Sequence, residues 1–324
     1  MGWQQRFDDR LEEDAVSPEL AYYGMPTFCK FPYTRDLEGA SVAVVGVPQD
    51  QAVTNRPGAR FAPRAIRAAS QLYGEVYEPG LGLYDIELDK HILGDTGIID
   101  YGDVPVAPVL HETNMNLITE IYSGLISKGI LPATLGGDHS ITFPILRAFE
   151  GVELDIVHFD THLDFMDDIK EMGMKYTHAN PIKRASEMDH IKGITQIGVR
   201  GLETPKFDHD DALASGNRVI TAREAIDKGA EWVLEQVPPA ENLYVTIDID
   251  ALDPSVAPGT GTPEPGGFTY NQMKKMLVGL PEKGRIVGFD IVEVCPPYDH
   301  AEMTAQVAAR LVLDMMGAIL GQKG

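Results

Sequence analysis

Six short runs of mostly β-branched and small apolar residues recur along the chain: SVAVVGV (41–47), LPATLGG (131–137), LDIVHFD (154–160), ITQIGVR (194–200), LYVTIDID (243–250) and RIVGFDIVEV (285–294). A strand with one wet face alternates apolar and polar residues. These runs are apolar at consecutive positions, which is the pattern of strands buried on both faces in a parallel sheet covered by helices. Segments of helical period separate them, notably APRAIRAASQLY (62–73), ETNMNLITEIYSGLISKG (112–129) and TAREAIDKGAEWVLEQV (221–237). Pro63 suits a first helical turn, and Thr221 with Glu224 forms a capping-box pattern. The alternation predicts an α/β fold, a three-layer αβα sandwich with a mostly parallel central sheet; a closed barrel is the other architecture it allows.

Residues 1–38 mix charges, aromatics and proline without a period, which reads as an N-terminal arm anchored by Tyr22, Tyr23, Phe28 and Phe31. No linker, repeat or low-complexity run divides the remainder, so 39–324 are expected to form a single α/β domain. With 27 Lys plus Arg against 49 Asp plus Glu, the net charge is −22, which repels phosphate backbones and anionic membrane surfaces. No nucleic-acid or membrane partner is therefore expected. The apolar stretch LVLDMMGAIL is short and interrupted by Asp314, so no membrane span is expected there. Two cysteines, Cys29 and Cys295, are too few for a disulfide framework and fit a reducing cytoplasm.

In open α/β sheets, ligands bind at the carboxyl ends of the strands, and three of those ends carry unusual chemistry. LDIVHF runs into Asp160, Thr161, His162, Leu163 and Asp164, where two-residue alternation would throw Asp160, His162 and Asp164 to one side. LYVTI runs into Asp248, Ile249 and Asp250 in the same way. LPATL runs through Gly136 and Gly137 to Asp138 and His139, the glycines allowing a sharp turn. A DxD after a single strand is commonly a turn; three such ends in one parallel sheet point to a shared site. Carboxylates this close raise one another's pKa unless positive charge is supplied, and divalent cations supply it. Two imidazoles with four carboxylates suit two ions sharing carboxylate ligands, Mn²⁺ first and Ni²⁺ or Zn²⁺ next.

From Val44 to Val312 the chain resembles the ureohydrolases, the family of arginases, agmatinases and other guanidino-compound hydrolases. GGDHS stands unaltered at Gly136–Ser140, the family's DAHxD reads DTHLD at Asp160–Asp164, and its DxDxxDP reads Asp248, Asp250, Asp253 and Pro254. The resemblance implies an arginase-like fold, assembly into homotrimers or homohexamers, and a binuclear centre. It would make His139, Asp160, Asp164 and Asp248 the ligands of one ion and His162, Asp160, Asp248 and Asp250 those of the other. Two further segments match, RPGARFAP (56–63) and DIVEVCPPYD (290–299), where Glu293 aligns with the acid that pairs with the substrate guanidinium. His178 in YTHANP matches the histidine of HGxP, which shuttles protons or positions substrate. By the same resemblance Asp164, His178 and Glu293 are the catalytic candidates. Glu293, His178, Asn180, Gln49 and Gln51 are the substrate-binding candidates.

Three departures from the pattern bear on specificity. Thr161 replaces the alanine of DAHxD, and Ala179 replaces the glycine after the histidine. PQDQAVTNRPG (48–58) replaces a PFDxGVTxRPG-like run, so Gln49 and Gln51 put amides where an aromatic and a small residue are usual. Because the Gln49–Gln51 turn follows the first strand, it is expected to border the mouth of the site. The expected activity is amidinohydrolase cleavage of agmatine or an ω-guanidino acid to urea and an amine. Guanidine itself, an N-alkylguanidine or a biguanide is the alternative substrate class. Two other readings carry less: metal-dependent deacetylation, which a full six-ligand set does not suit, and a non-catalytic scaffold subunit in a mixed oligomer, which should show degraded ligands.

Overall fold

The computed structural model describes residues 20–94, 96–168 and 172–321. Its centre is an eight-stranded sheet in which every pairing is parallel, in the order β4 (Ile98–Asp103), β1 (Val42–Gly46), β5 (Leu131–Leu135), β10 (Arg285–Val292), β9 (Asn242–Asp248), β6 (Leu154–Phe159), β7 (Ile191–Val199) and β8 (Arg218–Thr221). A separate antiparallel hairpin, β2 (Gly82–Asp85) with β3 (Lys90–Leu93), stands beside it.

Consecutive residues of one strand feed two different cores. Val42 and Val44 of β1 join the core that holds α1 (Ala62–Gly74), α7 (Ala230–Gln236), α8 (Tyr270–Gly279) and α9 (Met303–Leu320). Ala43 and Val45 join the core that holds α2 (His111–Ile126), α3 (Thr142–Arg147), α4 (Pro181–Ser186) and α5 (Lys206–Ala214). Two cores on two faces make the three-layer αβα sandwich. A barrel is excluded because β4 and β8 are open edges.

The 221–237 segment departs from a single helix. Its capping box forms as expected, Thr221 Oγ1 accepting from the Glu224 N–H, but Gly229 at φ 89° breaks the run into α6 (Ala222–Lys228) and α7. In the arm, whose residues 1–19 lie outside the described residues, Phe28 and Phe31 are buried. Tyr22 and Tyr23 are exposed and meet each other edge-on; the Phe28 N–H donates to Asp100 (2.7 Å) and the Cys29 N–H to Ser70 (2.7 Å). The apolar stretch around Asp314 belongs to α9, which is long and apolar enough to cross a membrane. It is a core helix here, 61% of it buried and its Asp314 bonded to Tyr270 and to Arg310 (3.1 Å).

The strand order matters most for the site. β5, β10, β9 and β6 are contiguous in the middle of the sheet, so the segments leaving their carboxyl ends, with His139, Glu293, Asp248 and Asp160, emerge side by side.

Candidate metal centre

Each of three strand ends closes with the same local device. Asp160 Oδ1 accepts from the His162 N–H (2.6 Å), Asp248 Oδ1 from the Asp250 N–H (2.9 Å), and Asp138 Oδ1 from the Ser140 N–H (3.1 Å). These are Asx turns, in which a short carboxylate mimics a backbone acceptor and curls the chain. The convergence of alternate residues therefore comes from the turns and not from strand pleating, since β6 already ends at Phe159 and β9 at Asp248. Gly137 is obligatory at the third turn: a Cβ there would lie 1.8 Å from the Gln49 carbonyl oxygen. Asp164 (φ 48°) and Glu293 (φ 61°) both hold left-handed backbone, a strain that folded chains retain mainly at functional positions.

The turns bring the donors to two centres. His139 Nδ1 lies 2.9 Å from Asp164 Oδ2, 3.2 Å from Asp160 Oδ2 and 3.3 Å from Asp248 Oδ2. His162 Nδ1 lies 3.2 Å from Asp160 Oδ1 and 3.4 Å from Asp250 Oδ2. Asp160 thus faces both imidazoles, one oxygen to each. His139 Nδ1 and Asp164 Oδ2 are buried without a hydrogen-bond partner.

Residues behind the ligands set their orientation. His139 Nε2 contacts Thr246 Oγ1 (2.9 Å), whose own proton goes to Asp290 (2.6 Å), so the Thr246 oxygen accepts from Nε2–H and the Nδ1 lone pair faces the carboxylates. Asp290 also accepts from Thr142 and Tyr244. His158 Nε2 donates to Asp160 Oδ2 (2.8 Å) while its Nδ1 accepts from Gln196 (3.1 Å). His158 and Asp290 escaped the sequence reading. Both sit inside strands that read as apolar runs; the signal was a charged group in a run buried on both faces, where only a bonded one is tolerated. Thr161 is fully buried and outside the cavity, its hydroxyl without a partner.

Electrostatically the cluster is short of positive charge. Burial and the charges of Asp250 and Asp160 hold the Asp248 carboxyl well above the usual range, and Asp250 is raised by burial and Asp160. Burial opposes charge on His139 and His162, yet the surrounding carboxylates raise both well above an ordinary imidazole. Arg200, whose charge reaches Asp250 and Asp160, donates to backbone carbonyls of Asp250, Leu252 and Glu264 instead of to these carboxylates. Two donor groups, His139 with Asp160 and Asp164, and Asp160 with His162 and Asp250, have the composition and convergence that a divalent ion needs. The bare buried Nδ1 and Oδ2 are the atoms such an ion would satisfy.

The centre opens into a cavity of about 550 Å³. Gln51, Thr54, His178 and Ala179 line it, with Asp164, His162 and Asp248 among its walls. Glu293 is buried beside the centre, behind the residues that line the cavity: Oε1 accepts from the His139 N–H (2.8 Å) and from His178 Nδ1 (3.0 Å), and Oε2 has no partner. Burial opposes charge on His178, but Glu293 outweighs it and raises the ring to about 9. The charged ring donates at Nδ1 to Glu293 and at Nε2 to Thr54 Oγ1 (2.7 Å); the neutral ring accepts at Nε2 from the Thr54 N–H (2.9 Å). His178 can therefore change protonation without losing its place.

Two expected substrate contacts are placed elsewhere. Gln49 is 1% exposed and lies outside the cavity, its Nε2 donating to Ser140 Oγ (3.2 Å), because the turn after β1 tucks under the Gly137 corner. Asn180 is fully buried and pins the 174–180 loop, accepting from the Thr177 N–H (2.6 Å) and donating to the Met174 carbonyl (3.1 Å).

Residues 40–317 match the arginase family. The chain is 38% identical over 306 residues to a guanidinopropionase of Pseudomonas aeruginosa, covering 91% of this chain and 92% of that protein. It is 36% identical to an agmatinase of Chromobacterium violaceum, covering 95% and 92%. A crystal structure of a hypothetical agmatinase from Burkholderia thailandensis superposes with a TM-score of 0.81 at 35% identity, covering 94% of this chain and 93% of that one.

Proposed function

Given that the chain belongs to the arginase family of ureohydrolases, we propose that it cleaves a linear guanidino compound, agmatine or an ω-guanidino acid, to urea and an amine. The observation that carries this reading is the bare Glu293 Oε2 beside the donor cluster: a buried carboxylate oxygen with no donor is the complement of a planar, charged N–H donor such as guanidinium. His139, Asp160, Asp164 and Asp248 would hold one ion, and His162, Asp160, Asp248 and Asp250 the other, with Mn²⁺ or Ni²⁺ suited to this set. Bound there, two divalent ions supply a water acidic enough to attack at neutral pH.

The remaining steps belong to the protein. Glu293 orients the guanidinium carbon, its Oε1 held by the His139 N–H and His178 so that Oε2 points one way only. Asp164, at the cavity wall, takes a proton on the oxygen turned from the ion and returns it to the departing nitrogen as the C–N bond breaks. His178, bonded to Thr54 at the cavity wall, exchanges protons between the site and solvent. The unpaired buried thiols of Cys29 and Cys295 support a reducing, cytoplasmic setting. A urea-release screen over guanidines of graded length and terminal charge, in Mn²⁺ and separately in Ni²⁺, tests the reading. Urea from at least one linear guanidine supports it; a fully metal-loaded protein silent on all of them refutes it.

A further inference from the structure

The cavity is also lined by polar groups that have no part in the donor cluster or its proton path, Asp208 and Gln51. Asp208, on the first turn of α5, lines the cavity at 4% exposure, and its carboxylate makes no hydrogen bond among the described residues. Gln51 donates through Nε2 to the Ala107 carbonyl (2.8 Å), which leaves its buried Oε1 without a donor. Glu203 is a second lining carboxylate, its Oε2 3.4 Å from His162 Nε2 at the edge of the centre. No Lys or Arg lines the cavity among the described residues, while Phe165, Met166 and Met174 give it an apolar flank. Burial and the charge of Asp211 raise the Asp208 carboxyl, while the charge of Lys183 pulls it down without a hydrogen bond.

Building on the guanidino-hydrolase reading, we propose that Asp208 anchors a distal subsite for an ammonium group on the cavity that Gln51 also lines. The substrate would then be a guanidine whose alkyl tail ends in an amine, and a carboxylate-ended tail would be selected against. The chemistry is direct: a tail ammonium offers three donors to acceptors that have none, and its alkyl chain lies along the methionine and phenylalanine flank. A tail carboxylate would meet Asp208 and Glu203 with no Lys or Arg among the described lining residues, a like-charge contact that lowers affinity. A first-turn aspartate also favours its helix through the macrodipole, but that role needs no access to the cavity and is separable by experiment.

The experiment compares three guanidines of equal chain length on the metal-loaded enzyme: agmatine, butylguanidine and 4-guanidinobutyrate. Each is followed by urea release and by calorimetric Kd, with thermal denaturation alongside. The wild type should prefer agmatine to butylguanidine and butylguanidine to 4-guanidinobutyrate, each step by roughly tenfold. Asp208→Asn should cost agmatine about tenfold in kcat/KM and Kd, leave butylguanidine within about twofold and narrow the gap to 4-guanidinobutyrate. A wild type that favours 4-guanidinobutyrate overturns the subsite while leaving the hydrolase intact. So does an Asp208→Asn protein that loses all three substrates equally together with thermal stability. If the wild type releases urea from none of the three, the graded-length screen decides the hydrolase reading, and the ratio of agmatine to 4-guanidinobutyrate Kd decides the subsite. Should Asp208→Asn not fold, the wild-type ranking decides it without a variant.

Discussion

Two clusters of buried acids in this molecule are treated in opposite ways. Between the β2–β3 hairpin, α8 and α9, Asp85 and Asp314 are met by Lys274 (3.5 and 3.8 Å) and Arg310 (3.3 and 3.1 Å), with Tyr270 donating to Asp314. At the strand ends, Asp160, Asp164, Asp248 and Asp250 have imidazoles and no Lys or Arg partner among the described residues. The first cluster is closed, its charges balanced by side chains of the same fold, as a buried ionic group must be when its role is to join elements. The second leaves lone pairs bare, which a fold tolerates where something else completes the charge. The difference separates a structural cluster from a binding one without reference to either sequence motif.

The largest effect is expected at the carboxylate that faces both imidazoles. Asp160→Asn removes a charge facing His139 and His162, and kcat/KM on the best guanidine should fall roughly a thousandfold, about 4 kcal/mol, with metal content falling below two ions per chain. Glu293→Gln preserves shape and the contacts at Oε1 but loses the charge, so a loss of about a hundredfold, roughly 2.7 kcal/mol, is expected with metal content unchanged. A fall of less than threefold would remove Glu293 from the guanidinium site.

A gentler probe is pH. Below about 9 the His178 ring is charged by its pairing with Glu293, and a guanidinium arriving on the same carboxylate must share it with that imidazolium. Substrate binding is then favoured by proton loss, so kcat/KM should rise with pH, on the order of tenfold per unit at most, and level off above about 9. His178→Asn should abolish that break; an unchanged break would assign it to another group. The smallest effect on catalysis belongs to the closed cluster. Lys274→Met should cost roughly 1–3 kcal/mol of stability in denaturant titration while leaving kcat/KM and metal content at wild-type values. A change in metal content there would erase the distinction between the clusters.

Legibility in the sequence followed the range of the interaction. The six buried strands were readable because burial on both faces leaves a continuous apolar run. β4 (IIDYGD) and β8 (RVIT) were missed, being a run broken by Asp, Tyr and Gly in one case and a four-residue edge strand in the other. The three ligand turns were visible because each is local, an aspartate capping a residue two positions on. What could not be read is which strand lies beside which: the order β5-β10-β9-β6 brings Glu293 to the His139 N–H across 154 residues, and no spacing rule encodes that. Gln49 shows the opposite failure. A residue at a strand's carboxyl end was expected at the mouth, yet the glycine corner at 136–137 draws its backbone inward and buries it.

The most direct test of the central claim, that the strand-end acids are completed by ions, is a metal titration of chelator-treated protein with Mn²⁺ or Ni²⁺, read by calorimetry and thermal denaturation together. Two ions should bind per chain, with a rise in denaturation temperature on loading and loss of at least one ion in Asp160→Asn and in Asp250→Asn. Binding of no ion, or identical binding and stabilisation in wild type and both variants, would contradict it.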